Sequence, residues 1–220
     1  MSISDRPSPG VKAVLSPGAM STSAAGAAAL DPRSHAEAAT GPSVGQVGMW
    51  VFLATDAMGF AGLLMAYAIL RVHADQWPDP QERLAVLQAA VMTGLLVTSS
   101  FTMTMTVRAA RAGRAGARAL WHATTVVLGV AFLGGQALEY LHLASGPHGM
   151  GLATDTFAGT FYAVTGYHGL HVLVGLAILV GLFVAPRVRV RSLEVASIFW
   201  HFVDLAWIPI FAFVYLLPVS

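Results

Sequence analysis

Residues 200–204 read Trp-His-Phe-Val-Asp inside an otherwise apolar stretch, which sets an imidazole and a carboxylate three residues apart where a bilayer would lie. At that spacing His201 and Asp204 share one helix face. An ionisable group at bilayer depth costs roughly 2.5–3.5 kcal/mol or more, so it turns to a protein interior and marks a pathway or a buried hydrogen-bond network. Asp204 is flanked by Trp200, His201, Trp207 and Ile208, and two indole N–H groups and an imidazole offer it donors. Pro209 removes the helical bond to the Leu205 carbonyl and predicts a bend just past this cluster.

Three other places carry polar chemistry at depth. Asp56 stands about 12–14 Å into the first apolar segment at 1.5 Å per residue. Beside it Thr55, Gly59, Gly62 and Ala66 form a small-residue stripe of the kind that lets another helix approach closely. Asp56 is read either as a hydrogen-bond partner of that helix or as a proton- or ligand-linked carboxyl. Gln136, Glu139 and His142 share a face near an outer helix end, where a carboxylate reaches water, caps the helix or meets lipid headgroups. Thr165, His168 and His171 share a third face, and Gly166 and Gly169 beside them argue for tight packing rather than lipid contact.

Two imidazoles one turn apart can bind a metal, yet this segment supplies no third donor. With His201, and His122 near a helix start, they could instead be haem axial ligands facing each other across helices; the first two apolar segments, however, contain no histidine. Hydrogen-bonded structural histidines are the third reading. Thr98, Thr102 and Thr106, with Ser99, Ser100 and Thr104, are expected to bond back to carbonyls one turn earlier and to serve packing. No phosphate loop, dinucleotide fingerprint, zinc-protease motif or nucleophile elbow occurs, so no self-contained catalytic site is expected.

The elements that must position these groups follow from composition. Of 220 residues 56% are hydrophobic and 10% charged, and the mean hydropathy is +0.67, against a charged fraction of about 25% in soluble domains. This is a membrane protein. With no cysteine, disulfides, thiolate metal sites and cysteine nucleophiles are excluded. Residues 1–45 are rich in Ser, Pro, Gly and Ala, lack an apolar run long enough for a signal-peptide core, and are expected to be a disordered tail. A domain over 46–220 follows, with transmembrane spans at about 47–70, 86–107, 119–143, 157–184 and 195–217, each long enough for a hydrocarbon core of about 30 Å. Arg108, Arg111, Arg114 and Arg118 in one loop and Arg187, Arg189 and Arg191 in another outweigh Arg71 and Arg83 in the other two. The arginine-rich loops therefore face the cytoplasm. The expected fold is all-α, a polytopic membrane bundle of five transmembrane helices with a cytoplasmic N-terminus and a periplasmic C-terminus. The charge pattern is a topology signal and implies no nucleic acid partner.

Four separated segments then resemble one family, subunit III of the haem-copper respiratory oxidases. They are Gly48-Met49-Trp50-Val51-Phe52-Leu53-Ala54-Thr55-Asp56 with Phe60-Ala61-Gly62; Gln136-Ala137-Leu138-Glu139-Tyr140; residues 161–172, including Thr165-Gly166-Tyr167-His168-Gly169-Leu170-His171-Val172; and Glu194 with Trp200-His201-Phe202-Val203-Asp204-Leu205-Ala206-Trp207. The likeness covers roughly residues 46–217 and resembles a short five-helix form that lacks the first two of seven helices and the lipid-holding cleft they frame. Asp56 stands where the family usually has Glu.

The resemblance implies a multi-pass protein of the bacterial inner membrane that accompanies cytochrome c oxidase subunits I and II. It implies no haem or copper held by this chain, those cofactors residing in the partner subunits, with phospholipid as a bound component. The implied role is to support assembly, proton uptake and sustained turnover in aerobic electron transport. The implied site residues are Asp56, Gln136, Glu139, His168, His171, Glu194, His201 and Asp204, with Trp50, Trp200 and Trp207 as aromatic neighbours and no catalytic or metal-binding residue. An accessory subunit of nitric oxide reductase, a haem-binding quinone-reactive anchor and a proton-coupled carrier built on Asp56 and Asp204 are the alternatives.

Overall fold

The structure is a computed structural model, and it describes residues 43–145 and 149–217. Five long helices follow one another: α1 (Val44–His73), α2 (Val86–Arg111), α3 (Ala115–Ser145), α4 (Thr156–Val184) and α5 (Val190–Phe211), with a single turn at Pro80–Arg83 before α2 and a π-helical turn at Ala212–Leu216 after α5. All five are long and apolar enough to cross a membrane, and no strand occurs among the described residues.

α1 to α4 overrun their expected spans, because hydropathy marks only the apolar middle while caps and arginine-bearing ends carry the helix onward; α5 starts early, at Val190, but ends at Phe211, with the π turn reaching Leu216, short of the expected 217. Ser43 and Gln46 form a reciprocal capping box, Gln46 N donating to Ser43 Oγ at 3.3 Å and Ser43 N to Gln46 Oε1 at 2.8 Å. Two backbone donors at the helix start are thereby satisfied. Helix therefore begins at Val44, and the expected tail is shortened at its C-terminal end; residues 1–42 lie outside the described residues. α2 runs on to Arg111 and stops at Gly113, whose φ of +66° suits a residue without a Cβ. Its N–H bonds back to Ala110 O at 3.1 Å, and Arg114 N to Ala109 O at 3.0 Å. α3 thus starts two residues later and lies antiparallel to α2. At the opposite end Asp155 caps α4, accepting from Ala158 N at 2.7 Å.

α5 lies against α1, α2 and α4 and buries nine residues, among them Phe199, Trp200, Val203, Asp204, Trp207 and Ile210. α1 buries only Leu53, Phe60 and Tyr67, a single seam at seven-residue spacing. Lipid is as apolar as leucine, so helices in a bilayer associate through close van der Waals contact and interhelical hydrogen bonds. The tightest contact is a slot for the Trp200 indole. A Cβ added at Gly129 on α3 would sit 2.8 Å from the ring, and one at Gly175 on α4 would sit 3.0 Å from it.

The small-residue stripe expected on α1 does not serve as such a seam within this chain. Thr55, Gly62 and Ala66 are exposed, and a Cβ at Gly62 would meet nothing within 4 Å. Only Gly59 meets a neighbour, the Tyr167 hydroxyl, 3.0 Å from where its Cβ would be. Gly169 likewise has nothing within 4 Å. The glycines that matter for packing are those facing a neighbour from elsewhere in the chain, such as Trp200 at Gly129 and Gly175 or Met92 at Gly135, which spacing along one helix cannot reveal. Beyond Pro209, Ala212 N–H is shared between the Ile208 and Pro209 carbonyls, and the wider π turn follows over Ala212–Leu216.

Candidate functional site

Asp56 on α1 is bound from α4. Tyr167 donates its hydroxyl proton to Asp56 Oδ1 at 2.9 Å, and His171 Nε2 lies 3.2 Å from the same oxygen. His171 Nδ1 stands 2.8 Å from the Tyr167 carbonyl. A carbonyl only accepts, so Nδ1 carries a proton. The Nε2–Oδ1 contact thus joins an α4 imidazole to the α1 carboxyl. Only 8% of the Asp56 side chain and 13% of the His171 side chain are exposed. Phe60 covers the pair, its ring 5.2 Å from His171 and 4.9 Å from Tyr167. Gly59 makes the room that the tyrosine hydroxyl needs.

His168 shares the helix with His171 but not its environment. It is fully buried, with its ring 4.9 Å from Trp207, 5.7 Å from Phe132 and 6.2 Å from Phe60. Neither of its ring nitrogens has a hydrogen bond.

On α5 the donors expected for Asp204 are all turned to α2. Trp200 Nε1 donates to Ser99 Oγ at 3.0 Å and Trp207 Nε1 to Thr93 Oγ1 at 2.8 Å. His201 Nδ1 meets Ser100 Oγ at 2.6 Å, while its Nε2 meets Ser197 Oγ at 3.0 Å and Thr104 Oγ1 at 3.4 Å. Asp204 is 7% exposed and neither carboxyl oxygen has a hydrogen bond of good geometry. Ser99 and Ser100 come near it, but Ser99 Oγ donates to Leu96 O at 2.8 Å and Ser100 is engaged by His201. The hydroxyl run on α2 bonds back to its own helix as expected, Thr98 to Gly94 O, Thr104 to Ser100 O and Thr106 to Thr102 O, and Ser99, Ser100 and Thr104 in addition receive the Trp200 indole and the His201 imidazole of α5.

Toward the other end of α3, Glu139 is 2% exposed, which corrects the expectation of a carboxylate within reach of water. The π turn swings Tyr215 inward, and its hydroxyl donates to Glu139 Oε2 at 2.9 Å. Gln136 is buried one turn away, whereas His142, expected on the same face, is exposed. Tyr140 Oη lies 2.7 Å from Thr165 Oγ1.

Glu194 and Trp50 differ from these groups. Glu194 joins three helices near the arginine-rich end: Arg111 on α2 holds its Oε1 at 2.8 and 2.9 Å, and Gln46 on α1 donates to its Oε2 at 3.3 Å. Trp50 is 61% exposed on the outer face of α1 and, unlike Trp200 and Trp207, borders none of the buried polar groups described here.

The structure brings Asp56 to His171, and His201 to the α2 hydroxyls; it joins neither Asp56 to Asp204 nor His168 to a second histidine. Among the described residues no three His, Cys, Asp or Glu side chains gather as a metal site would need. Sequence reasoning missed Tyr167, Tyr215, Thr93 and Arg111 as partners. Tyr167 alone left a signal, standing four residues before His171 and so on its face.

The sequence matches the family model for cytochrome c oxidase subunit III over residues 35–219. It is 34% identical over 183 residues to cytochrome c oxidase subunit 3 of Thermostichus vulcanus, covering 80% of this chain and 89% of that protein. Over 202 residues it is 37% identical to the probable cytochrome c oxidase subunit 3 of Mycobacterium bovis, covering 88% and 98%, and over 184 residues 36% identical to cytochrome c oxidase subunit 3 of a Synechocystis strain, covering 80% and 77%. With this match across residues 35–219 and relatives 34–37% identical over most of its length, the chain belongs to the cytochrome c oxidase subunit III family.

Proposed function

We propose that this chain is the subunit III of a bacterial haem-copper terminal oxidase, seated in the inner membrane beside subunits I and II. The observation that carries the reading is the family match across residues 35–219. In this reading the chain holds no haem or copper and has no catalytic centre of its own; the partner subunits supply both metals. The Asp56–His171 contact joins α1 to α4 at the edge of the bundle, where it supports proton uptake by the catalytic subunit. Buried hydrogen bonds between α2 and α5 hold the scaffold that assembles with it. The arginine-rich loops support a cytoplasmic N-terminus and a periplasmic C-terminus, with phospholipid against the exposed apolar faces.

The haem-anchor alternative needs imidazoles that face each other across helices. Here both ring nitrogens of His171 and of His201 are engaged by protein groups, and His168 is closed in by three aromatic rings. The nitric oxide reductase reading has no support in the relatives' names, which are those of an oxidase subunit. The test is purification of the tagged chain from its own membranes in mild detergent. Co-elution of a haem-bearing subunit I, with the Soret band in that partner, supports the reading. A chain that elutes without any haem-copper subunit overturns it.

A further inference from the structure

Gln136, Glu139, Thr165 and Tyr215, all buried, and the half-buried Tyr140 form a group of five side chains that differ sharply in what they can still accept and donate. Thr165 Oγ1 donates to the Phe161 carbonyl at 2.6 Å, so its proton is used and Tyr140 must be the donor in the 2.7 Å Tyr140–Thr165 contact. Tyr215 spends its own proton on Glu139 Oε2. Gln136 approaches the hydroxyls of both tyrosines without a hydrogen bond of good geometry to either, and its Oε1 and Nε2 and the Glu139 Oε1 are buried and unbonded.

Counting by atom type, the oxygens of Tyr140 and Tyr215, Gln136 Oε1 and both Glu139 oxygens retain lone pairs. The unspent donors are the two N–H bonds of Gln136. The group is rich in acceptors and poor in donors. Gln136 and Glu139 are 4% and 2% exposed, so bulk water cannot supply the difference. A buried polar group left unbonded loses its hydration with nothing in return. Two species restore the balance at once: a proton on Glu139, which turns one acceptor into a donor, and water, which brings two donors to a polar site with several partners.

The geometry points to a hydrated proton-holding site at Glu139, in which Gln136, Tyr140 and Tyr215 bind water around a protonated carboxyl. It is separate from the Asp56–His171 pair, which lies on the α1–α4 contact. Its position depends on the π turn, a helix form that concentrates at functional sites. Without the wider ladder after Pro209, Tyr215 would be rotated relative to the rest of α5. The site is built from this chain's own side chains and does not rest on the oxidase reading.

Infrared spectroscopy of the full chain in lipid nanodiscs, with or without companion subunits, tests it. The expected result is a protonated-carboxyl C=O band that is lost in Glu139→Gln, keeps its intensity but changes frequency in Tyr215→Phe, and shifts down on transfer to D2O. No band lost in Glu139→Gln would mean an ionised carboxyl and would overturn the proposal. A band that ignores D2O would overturn the water. A band removed by adding sodium or potassium at constant pH would make the site a cation site and overturn it too. Should Glu139→Gln fail to fold, a high-resolution map of the unaltered protein decides: density for water between Gln136, Glu139 and Tyr215 supports the site, and closed van der Waals contact among them refutes it.

Discussion

α1 and α5 each carry an aspartate at membrane depth, and the two helices hold them in opposite ways. Asp56 sits on the helix with the thinnest hold on the bundle, a seam of three buried side chains, yet its Oδ1 receives both Tyr167 and His171 from α4. Asp204 sits on the helix that buries nine residues, and neither of its carboxyl oxygens has a hydrogen bond of good geometry. The polar side chains of α5 that build structure are Trp200, His201 and Trp207, each bonded to a hydroxyl on α2. An aspartate in a bilayer is thus a docking point on the loosely held helix. On the central helix it is a passenger in a frame made by its neighbours.

That contrast can be broken by substitution, measured as unfolding of the purified full chain in one detergent. Trp200→Ala should have the largest effect, because it empties the slot between Gly129 and Gly175 and removes the indole hydrogen bond to Ser99; a loss of about 3 kcal/mol or more is expected. Gly129→Ala comes next, since its Cβ would stand 2.8 Å from the indole and the rigid ring cannot bend away, for about 1–3 kcal/mol. An unchanged midpoint in both would remove the slot from the account. Asp56→Asn should cost about 0.6–1.7 kcal/mol, the range for interhelical hydrogen bonds in membranes. Asp204→Asn should cost less than Asp56→Asn, because no hydrogen bond of good geometry is broken there. Equal losses at the two aspartates would end the comparison.

The smallest effect is at the loop end. Desolvation pushes the Asp155 carboxyl up, but the Ala158 N–H and the Arg83 guanidinium, 2.6 Å away, together hold it below its ordinary value. A lowered folded pKa means that the stabilisation is complete above the unfolded value of about 3.9 and is lost as the pH falls through the folded one. Both side chains are about one-third exposed, so the link is worth at most about 1 kcal/mol. Asp155→Asn should lower stability slightly at neutral pH and flatten the acid limb below about pH 4; acid curves that run parallel would assign that limb to other carboxyls.

Five spans, their order and the polar positions within them were legible in the sequence, since length and hydropathy depend on one segment at a time. Partners were not. Nothing along α2 says that Ser99 faces an indole 101 residues away, and nothing near Asp204 says that His201 turns from it. Glu139 looked accessible because it lies near a helix end, and only the π turn, which brings Tyr215 over it, buries it. The stripe on α1 had the right spacing for close approach, whereas the real slot is made of one glycine from each of two helices and closed by a tryptophan from a third.

The central claim is that this chain is a supporting subunit of an oxidase, and the lifetime of that oxidase during turnover tests it most directly. The account predicts that the complex purified without this chain still reduces oxygen at first, loses activity sooner than the complete complex, and regains its lifetime when the chain is added back. A complex whose lifetime is the same with and without the chain would contradict it.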